Sequence, residues 1–343
     1  MINLLIAIDG TESSGYSRRW IEEFYNSFEV SSENGDASIK KYYNPGPYIY
    51  SLGERNCKEI YIDCTIWLAR AIILHYSHFI KKKDENNLQI IRERELNKDK
   101  LIGKTAGYYN LFDILENFEN SNKIKKFVNE NIQISIVGHS RGGHVAIALN
   151  NSIPFKVFFL GLLDPVNKDI TLDILDTYII KKKYRHIFHA IRKKEFEQLS
   201  SQYRGTTFST PLTNRMWFGY DGIDYEYKED KNLITPYLTS HGGIGGSPFG
   251  HGFIPIVHDI ASNQTYLDPL QKILLKLGNG DNFYSEKLHE LNSFNPITSG
   301  YNNELKNSGM LEKLNKISER ESNRVCTDFF NAAIAAGLKF TNK

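Results

Sequence analysis

The sequence is poor in cysteine, balanced in charge and free of long apolar runs, and each shortage removes a class of protein. Three cysteines are too few for a disulfide scaffold. Cys57 and Cys64 stand in a stretch that reads as helix, separated by a rise of about 10 Å, which is beyond the reach of a disulfide. With Cys326 they read as reduced, packed thiols, suited to a reducing compartment. Lys plus Arg number 42 against 40 Asp plus Glu, so there is no protein-wide basic field to draw nucleic acid. The local basic runs at 81–83, 181–183 and 192–194 read as solvated faces, with steering toward an anionic phosphate surface as their other use. No stretch reaches the roughly 18 apolar residues of a membrane-spanning helix, because Arg70 breaks the run at 66–74. The apolar start has no basic region before it and ends on the carboxylate of Asp9, so it reads as a buried strand and not a secretory signal. The expectation is synthesis in the cytoplasm.

What remains is a chain of 343 residues, 41% apolar and 24% charged, ample for one large α/β body. The strand Ile2–Ile8 leads through Asp9, Gly10 and Thr11 to a helix at 17–28, where Trp20, Phe24 and Phe28 fall at four-residue spacing. A second strand is expected at 39–43, a long helix at 57–80, a surface excursion at 81–104 and a helix at 108–130. The latter feeds a β-branched strand at 132–137, followed by a turn, a helix through Val145, Ala146, Ala148 and Leu149, and the apolar strand Val157–Leu163. Residues 206–218 read as extended, 242–252 as a glycine-rich loop, and the remainder from about 267 as helical, through Val325, Phe329, Phe330, Ala333 and Leu338. No internal repeat is apparent. Strands alternating with helices predict an α/β fold, a mainly parallel sheet covered by helices on both faces. The expected organisation is a catalytic body over 1–265 with an insertion at 219–240, and a C-terminal helical extension over 266–343 packed on the same domain.

The chemistry centres on Gly138-His139-Ser140-Arg141-Gly142, which fits the G-x-S-x-G elbow. The pentapeptide alone is a weak signal. Its setting strengthens it, because an apolar strand enters it and an alanine-rich helix leaves it, as the sharp turn that exposes a serine oxygen requires. A serine hydroxyl needs a histidine to take its proton and a carboxylate to hold that histidine. Their order in this architecture is Ser, acid, His. Asp164 stands at the carboxyl end of the next apolar strand, where such sheets present their ligands; Asp169, Asp173 and Asp176 fit less well, and Asp164-Pro165 also reads as a plain turn. Downstream lie His186, His189, His241, His251, His258 and His289. His241 opens the glycine-rich loop and is the leading base, with His251 and His258 as alternatives. His186 and His189 read as an i, i+3 pair on a helix with a structural role. An oxyanion hole needs two backbone N–H groups: Arg141 supplies one, and Gly10 or Thr11 the other if Ile2–Ile8 pairs beside the strand before Ser140, with Asp9 bracing that loop by accepting N–H bonds. Asp9-Gly10 is also a common turn pair. No metal or cofactor is expected, since His75 and His78 lack the carboxylate or cysteine company of a zinc site.

In order along the chain these residues resemble the type VI secretion phospholipase effectors of the Tle type and their α/β-hydrolase relatives. Ile8-Asp9-Gly10-Thr11 is similar to that family's Phe-Asp-Gly-Thr strand end, Gly138-His139-Ser140-Arg141-Gly142 to its elbow, and the segment 161–166 to its Gly-x-x-Asp-x-Val acid segment. His189-Ala190 ahead of Glu195-Phe196 resembles a further stretch. The family's Trp-Phe pair and its His-Ser-Asp-Val-Gly-Gly segment are split here: about twenty residues separate Trp217-Phe218 from His241-Gly242-Gly243, and Gly243 replaces an Asp. The resemblance covers about 5–260, and the C-terminal helices match nothing in it. It implies an α/β-hydrolase fold, a Ser140, Asp164 and His241 triad, and a phospholipase acting at a lipid or membrane surface. It also implies export through a type VI system and an immunity or secretion partner protein. The larger effectors carry a membrane-anchoring module for which this chain looks too short. The insertion at 219–240, with Tyr220, Ile223, Tyr225, Tyr227 and Tyr237, is expected to form a mobile cover over the acyl site, or else a solvated excursion. The competing functions are a non-catalytic hydrolase-like binding protein and an esterase or thioesterase of another substrate class.

Overall fold

Short runs dense in Ile, Val, Leu and Phe on successive positions bury both faces of a strand and therefore demand cover on both sides of a sheet. The computed structural model describes residues 1–10, 18–29, 40–47, 54–79, 121–166, 177–192, 223–239, 241–246 and 310–341. Six of the described strands form one sheet: β1 (Ile2–Ile8), β2 (Lys41–Asn44), β3 (Ile132–His139), β4 (Val157–Leu163), β6 (Tyr184–Arg192) and β8 (Ile234–Tyr237). They lie in the order β2-β1-β3-β4-β6-β8, and every neighbouring pair is parallel. β5 (Ile179–Ile180) and β7 (Asp224–Tyr225) form a separate two-stranded parallel pair.

Helices cover both faces. On one side α2 (Glu54–Phe79), α3 (Ser121–Asn131) and α4 (Arg141–Ser152) pack against Leu4, Ile6, Ile8, Ile134, Ile136, Leu160 and Leu162. On the other, α1 (Trp20–Ser27) and α6 (Met310–Ala335) pack against the alternate residues Leu5, Ala7, Val137, Phe159 and Leu163. α6 presents Val325, Cys326, Phe329, Phe330 and Ala333, a stripe at helical spacing. Phe24 of α1 meets it, with ring centroids 4.5 Å from Phe329, and meets Phe340 beyond the end of α6 at 4.8 Å. Gly161 on β4 belongs to this contact, because a Cβ there would lie 2.6 Å from the Phe329 ring. No described helix is long and apolar enough to cross a membrane.

Three sequence expectations are corrected. His186 and His189 lie on β6 and not on a helix. On a strand an odd separation places two side chains on opposite faces: His186 is half-buried with its ring centroid 5.3 Å from that of Phe158, whereas His189 is fully buried. The expected cover at 219–240 is in its described part structural. Tyr225 sits in β7, and Ile234–Tyr237 is the sixth strand of the sheet, with Tyr237 inaccessible to solvent. Pro236 hid that strand from the sequence pattern, and β8 tolerates it because it lies at the edge of the sheet among the described residues. The run 181–183 is tied into the fold. Lys183 Nζ donates to the Asn151 and Ile153 carbonyls at 2.9 and 3.1 Å, at the C-terminal end of α4, and Lys182 pairs with Asp230 at 2.7 Å. The surface excursion at 81–104, the extended segment at 206–218 and most of the glycine-rich loop lie outside the described residues.

Strand order reverses between β1 and β3: β2 lies to one side of β1 while β3, β4, β6 and β8 follow on the other. In open parallel sheets the crevice at the carboxyl ends of two such strands is where ligands bind. Asp9-Gly10 and His139-Ser140 stand at those two ends. Because Phe329 is inaccessible to solvent at the contact joining α1, α6 and β4, Phe329→Ala is expected to cost about 3–5 kcal/mol, read as a lowered urea midpoint with an unchanged slope.

Candidate active site

β3 and α4 follow each other without a loop, so one residue must carry the whole change of direction. That residue is Ser140, with φ 55 and ψ −127. A side chain other than glycine held there costs on the order of 1–3 kcal/mol and persists only where its surroundings fix it. Ser140 N–H donates to the Leu163 carbonyl at 3.0 Å, and its own carbonyl accepts from Val166 N–H at 2.9 Å and His144 N–H at 3.2 Å. The flanking glycines are needed for space. A Cβ on Gly138 would collide with the Gly142 carbonyl, and one on Gly142 with the backbone of Ile8 and Asp9. The elbow is thus pressed between the ends of β1 and β4. Arg141 contributes the first backbone N–H of α4.

β1 pairs with β3 in the register Ile8 to Gly138, as the oxyanion assignment requires. A Cβ on Gly10 would lie 3.0 Å from Ser140 Cβ and 2.7 Å from His139 Nδ1, which puts the Gly10 backbone against the serine side chain. Asp9 braces this corner. Its Oδ1 accepts the Gly10 N–H at 2.9 Å, and its Oδ2 accepts the Tyr43 hydroxyl at 3.0 Å. Arg19 donates to that hydroxyl at 2.9 Å, lies 3.9 Å from Asp9 and is paired with Glu22. His139 Nδ1 is 4.0 Å from Asp9 Oδ1. The Gly10 N–H is therefore committed to Asp9 here. Thr11, the other oxyanion candidate, lies outside the described residues.

Asp164, at the end of β4, is buried and has φ 42, a left-handed conformation that aspartate tolerates better than most residues. Its N–H donates to the Ala190 carbonyl at 2.7 Å. Since Leu163 and Val166 both bond to Ser140, the acid candidate is clamped beside the elbow through its own backbone neighbours. His241 opens the short helix α5 (His241–Ile244), directly after β8. A Cβ on Gly245 would run into the His139 ring, and the Gly245 carbonyl accepts from Trp20 N–H at 3.0 Å. The segment that starts at His241 therefore reaches back from the β8 edge across the sheet end to the elbow. The His241 side chain and the alternatives His251 and His258 lie outside the described residues.

Sequence reasoning passed over His139, Tyr43 and Arg19, because nothing local marks a tyrosine on an edge strand or an arginine at a helix start as neighbours of a distant carboxylate. It also passed over the burial of His189, which the alternation of Phe188, His189 and Ala190 within a strand would have signalled. Among the described residues no group of three His, Cys, Asp or Glu side chains is arranged to hold a metal ion. No protein-family model, curated protein or solved structure matches the chain.

Burial pushes the Asp9 carboxyl from its ordinary 3.8 up to about 6, against the pull of Gly10 N–H, Tyr43 and Arg19. Between those values the folded chain keeps a proton that the unfolded chain has released. The resulting stabilisation is complete below the lower value and is lost as pH rises through the upper one. Buried His144 and His189, held down to about 3 and about 4 by desolvation, act in the opposite sense, losing stabilisation as pH falls, and they do so equally in any Asp9 variant. Asp9→Asn should therefore gain about 2 kcal/mol relative to the unsubstituted chain between about pH 4 and pH 7. Urea midpoints of both chains at the two pH values check this, and a difference that does not change with pH would refute it.

Proposed function

We propose that this chain is a serine hydrolase of α/β-hydrolase architecture that cleaves lipid acyl esters through an acyl-enzyme. The observation that carries the reading is the backbone of Ser140: a serine forced to φ 55 and ψ −127 between a central parallel strand and a buried helix, at the reversal of strand order. Strain of this kind concentrates at functional sites, and a strand-turn-helix of this form lifts a serine oxygen above the sheet end. Ser140 attacks the acyl carbonyl, His241 takes its proton and returns it to the leaving alcohol, and Asp164 holds the histidine. Water then resolves the ester. The developing oxyanion is met by Arg141 N–H, and with the Gly10 N–H bonded to Asp9 the second donor is assigned to Thr11.

The chain order Ser140, Asp164, His241 supports the assignment, as does the return of the 241–246 segment to the elbow. The lipid substrate, phospholipase activity and type VI delivery rest on the resemblance of Ile8-Asp9-Gly10-Thr11, the elbow and the acid segment to the Tle-type effectors. A fluorophosphonate probe, which reacts only with an activated serine, should label the protein, and Ser140→Ala should abolish labelling and lower ester turnover by on the order of 10⁶ with its melting temperature retained. Labelling that survives Ser140→Ala would sink the proposal.

A further inference from the structure

The buried face of β6 carries a titratable side chain that the chemistry above does not use. His189 is in register with Leu162, and the next residue, Ala190, accepts the Asp164 N–H through its carbonyl at 2.7 Å. The ring is inaccessible to solvent apart from 1%. Its Nδ1 lies 2.7 Å from the Tyr225 hydroxyl, and its Nε2 has no hydrogen-bond partner among the described residues. Desolvation holds the ring neutral, and the charge that opposes this is Asp164's. Burial, chiefly, also pushes the Tyr225 hydroxyl up, so it keeps its proton.

Tyr225 is delivered to this place by a dedicated element. β7 is fixed to β5 by the pairs Ile179 with Asp224 and Ile180 with Tyr225. The bonds Asp224 N–H to the Tyr178 carbonyl at 2.6 Å and Glu226 N–H to the Ile180 carbonyl at 3.1 Å close it on either side. A neutral imidazole has one N–H and one lone pair. If the phenol donates to Nδ1, the ring proton sits on Nε2, and a buried N–H dipole then stands in the neighbourhood of buried Asp164. A buried polar atom left unpaired in this way asks for a role.

We propose that His189 and Tyr225 are positioning residues for Asp164: Tyr225 fixes the His189 tautomer, and the Nε2–H dipole orients the Asp164 carboxyl for the base. This rests on the serine hydrolase reading. Its signature is dependence on Asp164, which a packing role would not show. The rate of fluorophosphonate labelling should fall about tenfold in Tyr225→Phe, with the affinity for the probe unchanged and the fold retained. In an Asp164→Asn background the same Tyr225→Phe change should have no effect. His189→Gln, whose amide nitrogen reaches the Nε2 position, should retain most of the rate that His189→Leu loses. Isotope-labelled imidazole NMR, with the signal assigned by its loss in His189→Gln, should find the proton on Nε2. A proton on Nδ1, equal losses in both backgrounds, or an unchanged rate in Tyr225→Phe would overturn this proposal and leave the hydrolase reading intact. Failure of the unsubstituted chain to label at Ser140 would overturn both.

Discussion

A residue with a Cβ does not rest at φ 55 and ψ −127 unless everything around it forbids relaxation, and much of this molecule is arranged to forbid it. Ser140 is tied to Leu163 and Val166 at the end of β4, and to His144 in the first turn of α4. Gly142 lies on the backbone of Ile8 and Asp9 at the end of β1, so the elbow cannot spring back without parting two strands. The clamp needs β1, β3 and β4 to be adjacent and parallel with their carboxyl ends level. The registers Ile8 to Gly138 and His139 to Leu163 provide that. The hydrophobic cover on both faces supplies the stability from which a strain of a few kcal/mol is offset.

Two buried carboxylates flank the elbow in different settings. Asp9 faces a phenol, a guanidinium and a backbone N–H, a set of donors that compensates burial only in part, so its carboxyl stays well above the ordinary range. Asp164 turns at a left-handed residue on the opposite side, next to a neutral imidazole. Environments that differ this much set two like groups apart: Asp9 secures the corner beside the serine side chain, and Asp164 is held through its backbone at the ends of β4 and β6.

Much of this was legible because it is local. β1 and β4 carry apolar runs long enough to bury a strand on both faces, and the glycines around Ser140 announce a turn too tight for side chains. Ile2–Ile8 and Val157–Leu163 appear as expected, whereas β3 extends two residues further, through His139. What stayed hidden depends on pairings between distant segments. His186 and His189 share a spacing that suits either a helix face or two faces of a strand, and only the pairing of β6 with β4 and β8 decides between them. Tyr225 and Ile234–Tyr237 read as inserted residues because the two-residue β7 and a strand containing Pro236 have no periodicity of their own. Arg19, Tyr43 and Asp9 meet only once β2 has paired with β1.

The covering of the sheet also sets an order of events during synthesis. The face bearing Leu5, Ala7, Val137 and Phe159 is closed by α6, and the segment after α6 is zipped to α1, with Glu29 N–H bonded to the Lys339 carbonyl at 2.9 Å and Thr341 N–H to the Ser27 carbonyl at 2.7 Å. β1 and α1 thus leave the ribosome long before their partners on that side, and contacts so far apart in sequence form slowly. Until α6 emerges, the nascent chain holds an uncovered apolar surface of the kind that binds chaperones or other chains.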